Sequence, residues 1–168
     1  MRSATLVKAT RYVSLLSCGM LAGVAVTVLF LELALRRLNG PAYVRVRQVE
    51  STFFTWYIGA ITVPTLVAVA VLVIYARKVQ SPILRPAAIA LGLLLLALLV
   101  TLAVNGPINV EELGWNVQTP PADWAHVRDR WQIAHAVRTA AIVLALGYLS
   151  AAILDRPAPD GRSLRQAS

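Results

Sequence analysis

PAAIALGLLLLALLVTLAVNGPINV, residues Pro86–Val110, runs without one charged side chain. A hydrocarbon core is about 30 Å thick and a helix rises about 1.5 Å per residue, so a spanning helix needs about 20 apolar residues. Two further runs, Tyr12–Leu31 and Ser51–Ala76, also reach that length uncharged. A fourth, Thr139–Leu154, reaches it when His135 and Arg138 sit at its mouth. The expected fold is therefore all-α: an integral membrane four-helix bundle, one transmembrane domain over residues 1–155 with spans at about 12–35, 53–76, 84–104 and 133–154. The tail 156–168, with Pro157, Pro159 and Gly161 and few apolar residues, is expected to be disordered.

The whole composition agrees. Of 168 residues 58% are hydrophobic and 14% charged, against about 25% charged in ordinary soluble domains. The net charge of +8 is no nucleic-acid footprint, because the basic residues form no patch. They cluster at segment ends, as side chains at lipid headgroups do. With four spans, the N-terminus, the 77–85 loop and the C-terminus share one side with nine Lys/Arg, against six in the loops 36–50 and 105–130. The excess places both termini in the cytoplasm of a multi-pass cell-membrane protein. The apolar run after Arg11 is too long for a signal-peptide core, and only six residues separate Arg11 from Cys18, too few for a lipoprotein signal. The single cysteine can form no internal disulfide.

Packing in lipid calls for small residues, and Gly19–Gly23 gives the first helix a GxxxG face. Pro64 is a candidate kink in the second. Polar residues converge on the end of the bundle remote from the termini. Glu32 closes the first helix; Gln48, Glu50, Thr52 and Thr55 open the second; Asn105 to Asn109 close the third; Trp131, His135 and Arg138 open the fourth. A polar cup on an apolar bundle suits a lipophilic small molecule. Residues 120–154 read as one long helix, opened by Thr119 as N-cap with Pro121 in its first turn. Its Trp124, Arg128, Trp131, His135, Arg138, Ile142, Ala145 and Leu149 alternate four and three apart and form one inward stripe. Gln48, Thr52, Thr55, Gly59 and Thr62 make a comparable stripe on the second helix.

Plainer explanations stand beside these. Glu32 can pair with Arg36 one turn on. Trp115 and Trp124 fit an interfacial aromatic belt. Asn105-Gly106-Pro107 fits a helix stop. Arg128 and Arg130 fit interfacial charges paired with Asp123 or Asp129. An ionisable pair one turn apart at the membrane boundary, His135 and Arg138, is harder to explain without function. No GxSxG, P-loop, GxGxxG or CxxC is present, so no cofactor is evident. No metal site is expected, since His126 and His135 are nine residues apart and point to opposite sides of one helix.

Val104-Asn105-Gly106-Pro107-Ile108-Asn109, then Trp124, Arg130-Trp131 and His135-Ala136-Val137-Arg138-Thr139, resembles the anthrone oxygenase-like family of small four-helix membrane proteins. That family's pattern has an Asn-x-Pro-x-Asn turn, an Arg-Trp pair and a His-x-x-Arg-Thr near the start of the last helix. The similarity covers about residues 12–154, including Leu35-Arg36-Arg37-Leu38 and the segment to Glu50; Glu32 stands where many members carry an apolar residue. The resemblance implies oxidation of a fused aromatic ketone by O₂, an anthrone to an anthraquinone. His135 would be the base, Arg138 would stabilise the oxyanion, and Asn105 or Asn109 would bond the ketone oxygen. Trp131, Glu32 and Gln48 complete the expected substrate-binding set. A carbanion can meet O₂ directly, so this chemistry demands no cofactor. The alternative is a non-catalytic membrane subunit that docks a partner through the start of the fourth helix; the oligomeric state stays open. Transport is disfavoured by the apolar cytoplasmic half and the lack of an inverted repeat.

Topology is directly testable. Cysteines introduced near Trp115 should react with an impermeant reagent in intact cells, and one near Gly161 should not; the reverse pattern would invert the assignment.

Overall fold

In a computed structural model, the structure describes residues 2–154, with side chains at 9–53 and 56–152. The tail from Arg156 and the side chain of Thr55 lie outside the described residues. The described chain is helical: α1 (Arg2–Leu35), α2 (Gly40–Lys78), α3 (Leu84–Val100), a π turn (Thr101–Asn105), α4 (Gly106–Leu113) and α5 (Trp124–Leu154). The α3, π turn and α4 segments form one continuous rod. Four stretches are long and apolar enough to cross a membrane: Ala9–Leu35, Trp56–Lys78, Leu84–Leu113 and Trp124–Ala152. The molecule is a multi-pass, all-α membrane bundle in which α1 packs on α2, α2 on α3, α3 on α5 and α5 back on α1.

The core near the termini is made of small residues. Cys18, Ala22 and Ala25 of α1 meet Val69, Leu72 and Ala76 of α2, Ala87, Ala90, Leu94 and Ala97 of α3, and Ala141, Ala145 and Ala152 of α5. Lipid is as apolar as leucine, so close backbone approach and dispersion, more than solvent exclusion, hold such helices together. The expected GxxxG face of α1 is not the packed one: a Cβ on Gly19 or Gly23 would meet nothing within 4 Å. The Ser14, Cys18, Ala22 and Ala25 face is buried instead. Pro64 lies exposed inside α2, which runs on through it.

Three helices depart from their expected bounds. The α2 helix begins at Gly40, well before residue 53, because Asn39 caps it: Ala42 N–H donates to Asn39 Oδ1 at 3.0 Å and Pro41 occupies the first turn. The third helix does not stop at Asn105-Gly106-Pro107. Pro107 has no N–H and its ring crowds the preceding turn, and the helix widens there, with Gly106 N–H reaching back five residues to the Thr101 carbonyl. The α5 helix starts at Trp124, not Pro120, after turn bonds from Trp124 N–H to the Pro121 carbonyl and from Val127 N–H to that of Asp123. Trp124 lies against Gly40 and Tyr43, its ring 5.6 Å from that of Tyr43. Trp115 packs on the cluster of Ile108, Val127 and Trp131. Trp124 and Trp115 thus help to join the start of α5 to α2 and α4.

Gly40 is where that close approach needs a missing side chain. A Cβ there would lie 3.0 Å from Trp124 Nε1 and 3.1 Å from its Cε2. Gly40→Ala should therefore destabilise the bundle by about 1–3 kcal/mol through overpacking. Gly92→Ala, with open space around its Cβ, should be neutral or stabilising by up to about 1 kcal/mol. Thermal unfolding in detergent reads both, and equal midpoints for the two variants would refute the packing argument.

Candidate functional site

Tyr43, Arg47 and Ser51 are four residues apart and share the inward face of α2. The expected stripe is met in part: Gly59 and Thr62 line a cavity, while Thr52 is exposed and donates back to the Gln48 carbonyl. Arg47 is 4% exposed and stands at the centre of a polar layer. Its Nε donates to Glu112 Oε2 at 3.0 Å, its Nη1 to Glu32 Oε1 at 3.0 Å and to Glu50 Oε2 at 3.4 Å, and its Nη2 to Asn109 Oδ1 at 2.9 Å. Its guanidinium lies over the Trp131 ring, 4.2 Å from the centroid. Glu32 and Glu112 are each 1% exposed, Glu50 16%. Burial works to lower the Arg47 pKa, but Glu112 and Glu32 outweigh it and hold the guanidinium above its ordinary value. Burial first, then Glu112 and Glu32, push the Tyr43 phenol well up. Glu50 is raised by burial and by Glu32, against the pull of Arg47.

A second chain of bonds runs along α5. Trp131 Nε1 donates to Asn109 Oδ1 at 2.7 Å, and Asn105 Nδ2 donates to the Trp131 carbonyl at 3.0 Å. His135 stacks on Trp131 with centroids 4.9 Å apart. Its Nε2 lies 3.0 Å from the Ala25 carbonyl. A carbonyl only accepts, so the ring carries its proton on Nε2. Nδ1 is then the acceptor, and Arg138 Nε donates to it at 3.0 Å. Arg138 Nη1 donates to Thr101 Oγ1 at 3.1 Å, and Thr101 in turn donates to the Ala97 carbonyl at 2.8 Å.

Several of these groups border a cavity of about 380 Å³, within the ~300–1,000 Å³ usual for small-molecule sites. Leu21, Ala25, Leu66, Leu94 and Ile142 make its apolar floor, and Arg47, Glu50, Asn109, Trp131, His135 and Arg138 its polar side. Gly59 and Val63 of α2 and Leu102 of the facing helix line the cavity and are themselves exposed. The cavity therefore opens sideways between these two helices, within their apolar spans.

Of the residues expected at a site, Asn109, Trp131, His135 and Arg138 border this cavity together. Asn105 does not; it is buried behind Trp131 and holds that residue's backbone. Glu32 does not either. It faces a smaller space between α1 and α5 of about 160 Å³, and its partners are Arg47 and Gln132 rather than Arg36. Arg36 instead bonds Gln132 at 2.7 Å and Asp129 at 3.1 Å. Gln48 lies outside the cavity and donates to the carbonyls of Glu112 and Trp115. The base role expected of His135 meets an obstacle, because both ring nitrogens are already engaged. Among the described residues, no three His, Cys, Asp or Glu side chains converge as metal ligands.

Arg47 and Glu112 are central, yet sequence spacing does not mark them. Arg47 falls in the charged segment 36–50 between two apolar runs. The signal that would have placed it on a helix is Asn39-Gly40-Pro41, an N-cap followed by a first-turn proline. Glu112 followed an apparent helix stop, and only the widened turn carries the helix on to it.

The family model described as anthrone oxygenase matches residues 53–148, more than half of the chain, and the chain belongs to that family. The match takes in Asn105, Asn109, Trp131, His135 and Arg138 and begins after Glu32, Arg47 and Glu50. Neither a curated protein nor a solved structure matches the chain.

Removing one member of a buried ion cluster leaves the others uncompensated, at a cost of about 3–5 kcal/mol. Arg47→Met should destabilise by that order, since Glu32 and Glu112 would keep their burial and lose their counter-charge. Glu112→Gln keeps an acceptor for Nε and should cost less. Unfolding midpoints in detergent decide, and an Arg47→Met variant as stable as the parent would show that the cluster does not hold the helices.

Proposed function

We propose that this member of the anthrone oxygenase family binds a flat, lipophilic aromatic ketone in the lateral cavity and oxidises it with O₂. The observation that carries this reading is the pairing of an apolar chamber, open sideways at membrane depth, with a guanidinium held by two neighbours. Arg138 spends Nε on His135 and Nη1 on Thr101, which fixes its plane and leaves its remaining N–H groups for a ligand oxygen. Asn109 spends its Oδ1 on Trp131 and Arg47, so its amide N–H groups are what it offers the cavity. A ketone becoming an oxyanion needs such donors, and a water-poor site strengthens each of them.

The methylene of an anthrone is acidic because its carbanion spreads over both rings and onto the ketone oxygen. Loss of a proton there gives a species that reacts with O₂ without an activating group. Trp131, stacked on His135 and beneath Arg47, supplies a flat wall of the cavity. His135 acts in this reading as a positioning residue: with its proton on Nε2 tied to α1, its lone pair aims Arg138. The polar end of the bundle faces away from the cytoplasm, both termini lying inside, which fits a substrate that arrives through the bilayer.

Purified protein given anthrone in aerated detergent should consume O₂ and form anthraquinone above the uncatalysed rate. Arg138→Lys keeps the charge but cannot reach His135 and Thr101 with one planar fork, and turnover should fall by about 10–10³-fold. The fall should lie in kcat if the arginine meets charge only as it develops. Unchanged turnover in Arg138→Lys would remove the oxyanion role.

A further inference from the structure

The polar layer holds three carboxylates, Glu32, Glu50 and Glu112, around the one guanidinium of Arg47. Two of them are committed. Glu32 and Glu112 are 1% exposed, each 3.0 Å from Arg47, and neither borders the main cavity. Glu50 differs on every count. It borders the cavity, it is 16% exposed, and its 3.4 Å approach to Arg47 is the longest of the set. The cavity also presents His135, but its Nδ1 lone pair is occupied by Arg138 and its Nε2 carries a proton. Among the described residues that border the cavity, Glu50 is the carboxylate.

We propose that Glu50 is the catalytic base of this site, taking the proton from the substrate carbon while Arg138 and Asn109 receive the charge on the ketone oxygen. The assignment rests on the oxygenase reading. Glu50 sits on α2 and Arg138 on α5, so base and anion receptor reach the same chamber from different helices. Burial and the neighbouring Glu32 raise the proton affinity of Glu50 against the pull of Arg47, which suits it to a weak carbon acid.

One carboxylate is enough for the whole oxidation. Glu50 takes a methylene proton, and the electron pair of the broken C–H bond spreads over the rings and the ketone oxygen. The carbanion gives two electrons to O₂, one at a time, as a C–O bond forms. The resulting peroxide takes its proton back from Glu50. Glu50 then removes the second hydrogen on the same carbon; those electrons make the new C=O bond and break O–O. The departing hydroxide takes the proton from Glu50 and leaves as water. The carbon goes from CH₂ to C=O, O₂ ends as that carbonyl oxygen and one water, and Glu50 returns to the carboxylate.

Proton removal can be read without O₂. In anaerobic D₂O the parent protein should exchange the methylene hydrogens of anthrone faster than buffer does. Glu50→Gln should lose exchange and aerobic O₂ uptake together by about 10²–10⁴-fold, with anthrone binding and the unfolding midpoint kept. Glu50→Asp should recover part of both rates, and His135→Gln should retain exchange better than Glu50→Gln. Parental exchange in Glu50→Gln would overturn the role of Glu50 and leave the oxygenase reading standing. A parent protein that neither exchanges nor oxidises anthrone would overturn both.

Discussion

A guanidinium removed from water and gripped from three helices organises the polar end of this bundle. Stripping solvent from an ion in a low-dielectric interior costs several kcal/mol, and Coulomb attraction repays it only where geometry is good and each nitrogen of the group is hydrogen-bonded. Arg47 meets both conditions. Its planar fork takes Glu32 from α1, Glu50 from its own helix, and Glu112 and Asn109 from α4. A lysine has one point charge and could not hold so many directions at once. Because Asn109 is fixed by Arg47, it can fix Trp131; Trp131 sets the stacking plane of His135, and His135 aims Arg138. The cavity's polar side is therefore one connected network and not a collection of independent residues.

The apolar half of the bundle needs this network. Alanine faces let the helices approach closely but discriminate weakly between neighbouring registers, since one small residue is much like the next. Directional bonds between α1, α2, α4 and α5 add the discrimination that packing lacks. Gln132 extends the tie by donating both to the Glu32 carboxylate and to its backbone carbonyl, while accepting from Arg36. Fixing register with buried polar groups is a recognised use of such contacts, and here the same bonds run on into the cavity wall.

What could be read in the sequence follows from which forces are local. Uncharged runs of spanning length announced the four helices, because the length requirement depends on the bilayer alone. The α5 stripe from Arg128 to Leu149 was legible because helical period sets it, and Trp131, His135 and Arg138 do share the cavity. The partner of Glu32 was not legible: Arg36 is one turn away in sequence, yet the turn at residues 36–39 and the capped start of α2 bring Arg47 closer in space. The GxxxG signature of α1 misled because an alanine face at Ala22 and Ala25 already allows close approach. The occupied lone pair of His135 depends on a backbone carbonyl of α1 and a side chain one turn along, and spacing alone shows only half of that.

The two halves of the site also differ in origin along the chain. The family match covers the helices that carry Asn109, Trp131, His135 and Arg138, of which Arg138 and Asn109 are proposed to receive negative charge. The carboxylate that borders the cavity with them, Glu50, and the arginine that holds it come from the part before residue 53. Burial and the negative charge of Glu32 raise the proton affinity of Glu50 against the pull of Arg47. Such a carboxylate beside a fixed arginine separates two tasks that a single histidine would otherwise have to combine. In the proposed reaction Glu50 of α2 takes the proton and Arg138 of α5 receives the charge, with the substrate's acidic carbon and its ketone oxygen lying between them. An anthrone carries those two atoms at opposite ends of its central ring, so a site that divides the tasks between two helices matches the shape of the molecule it is proposed to oxidise.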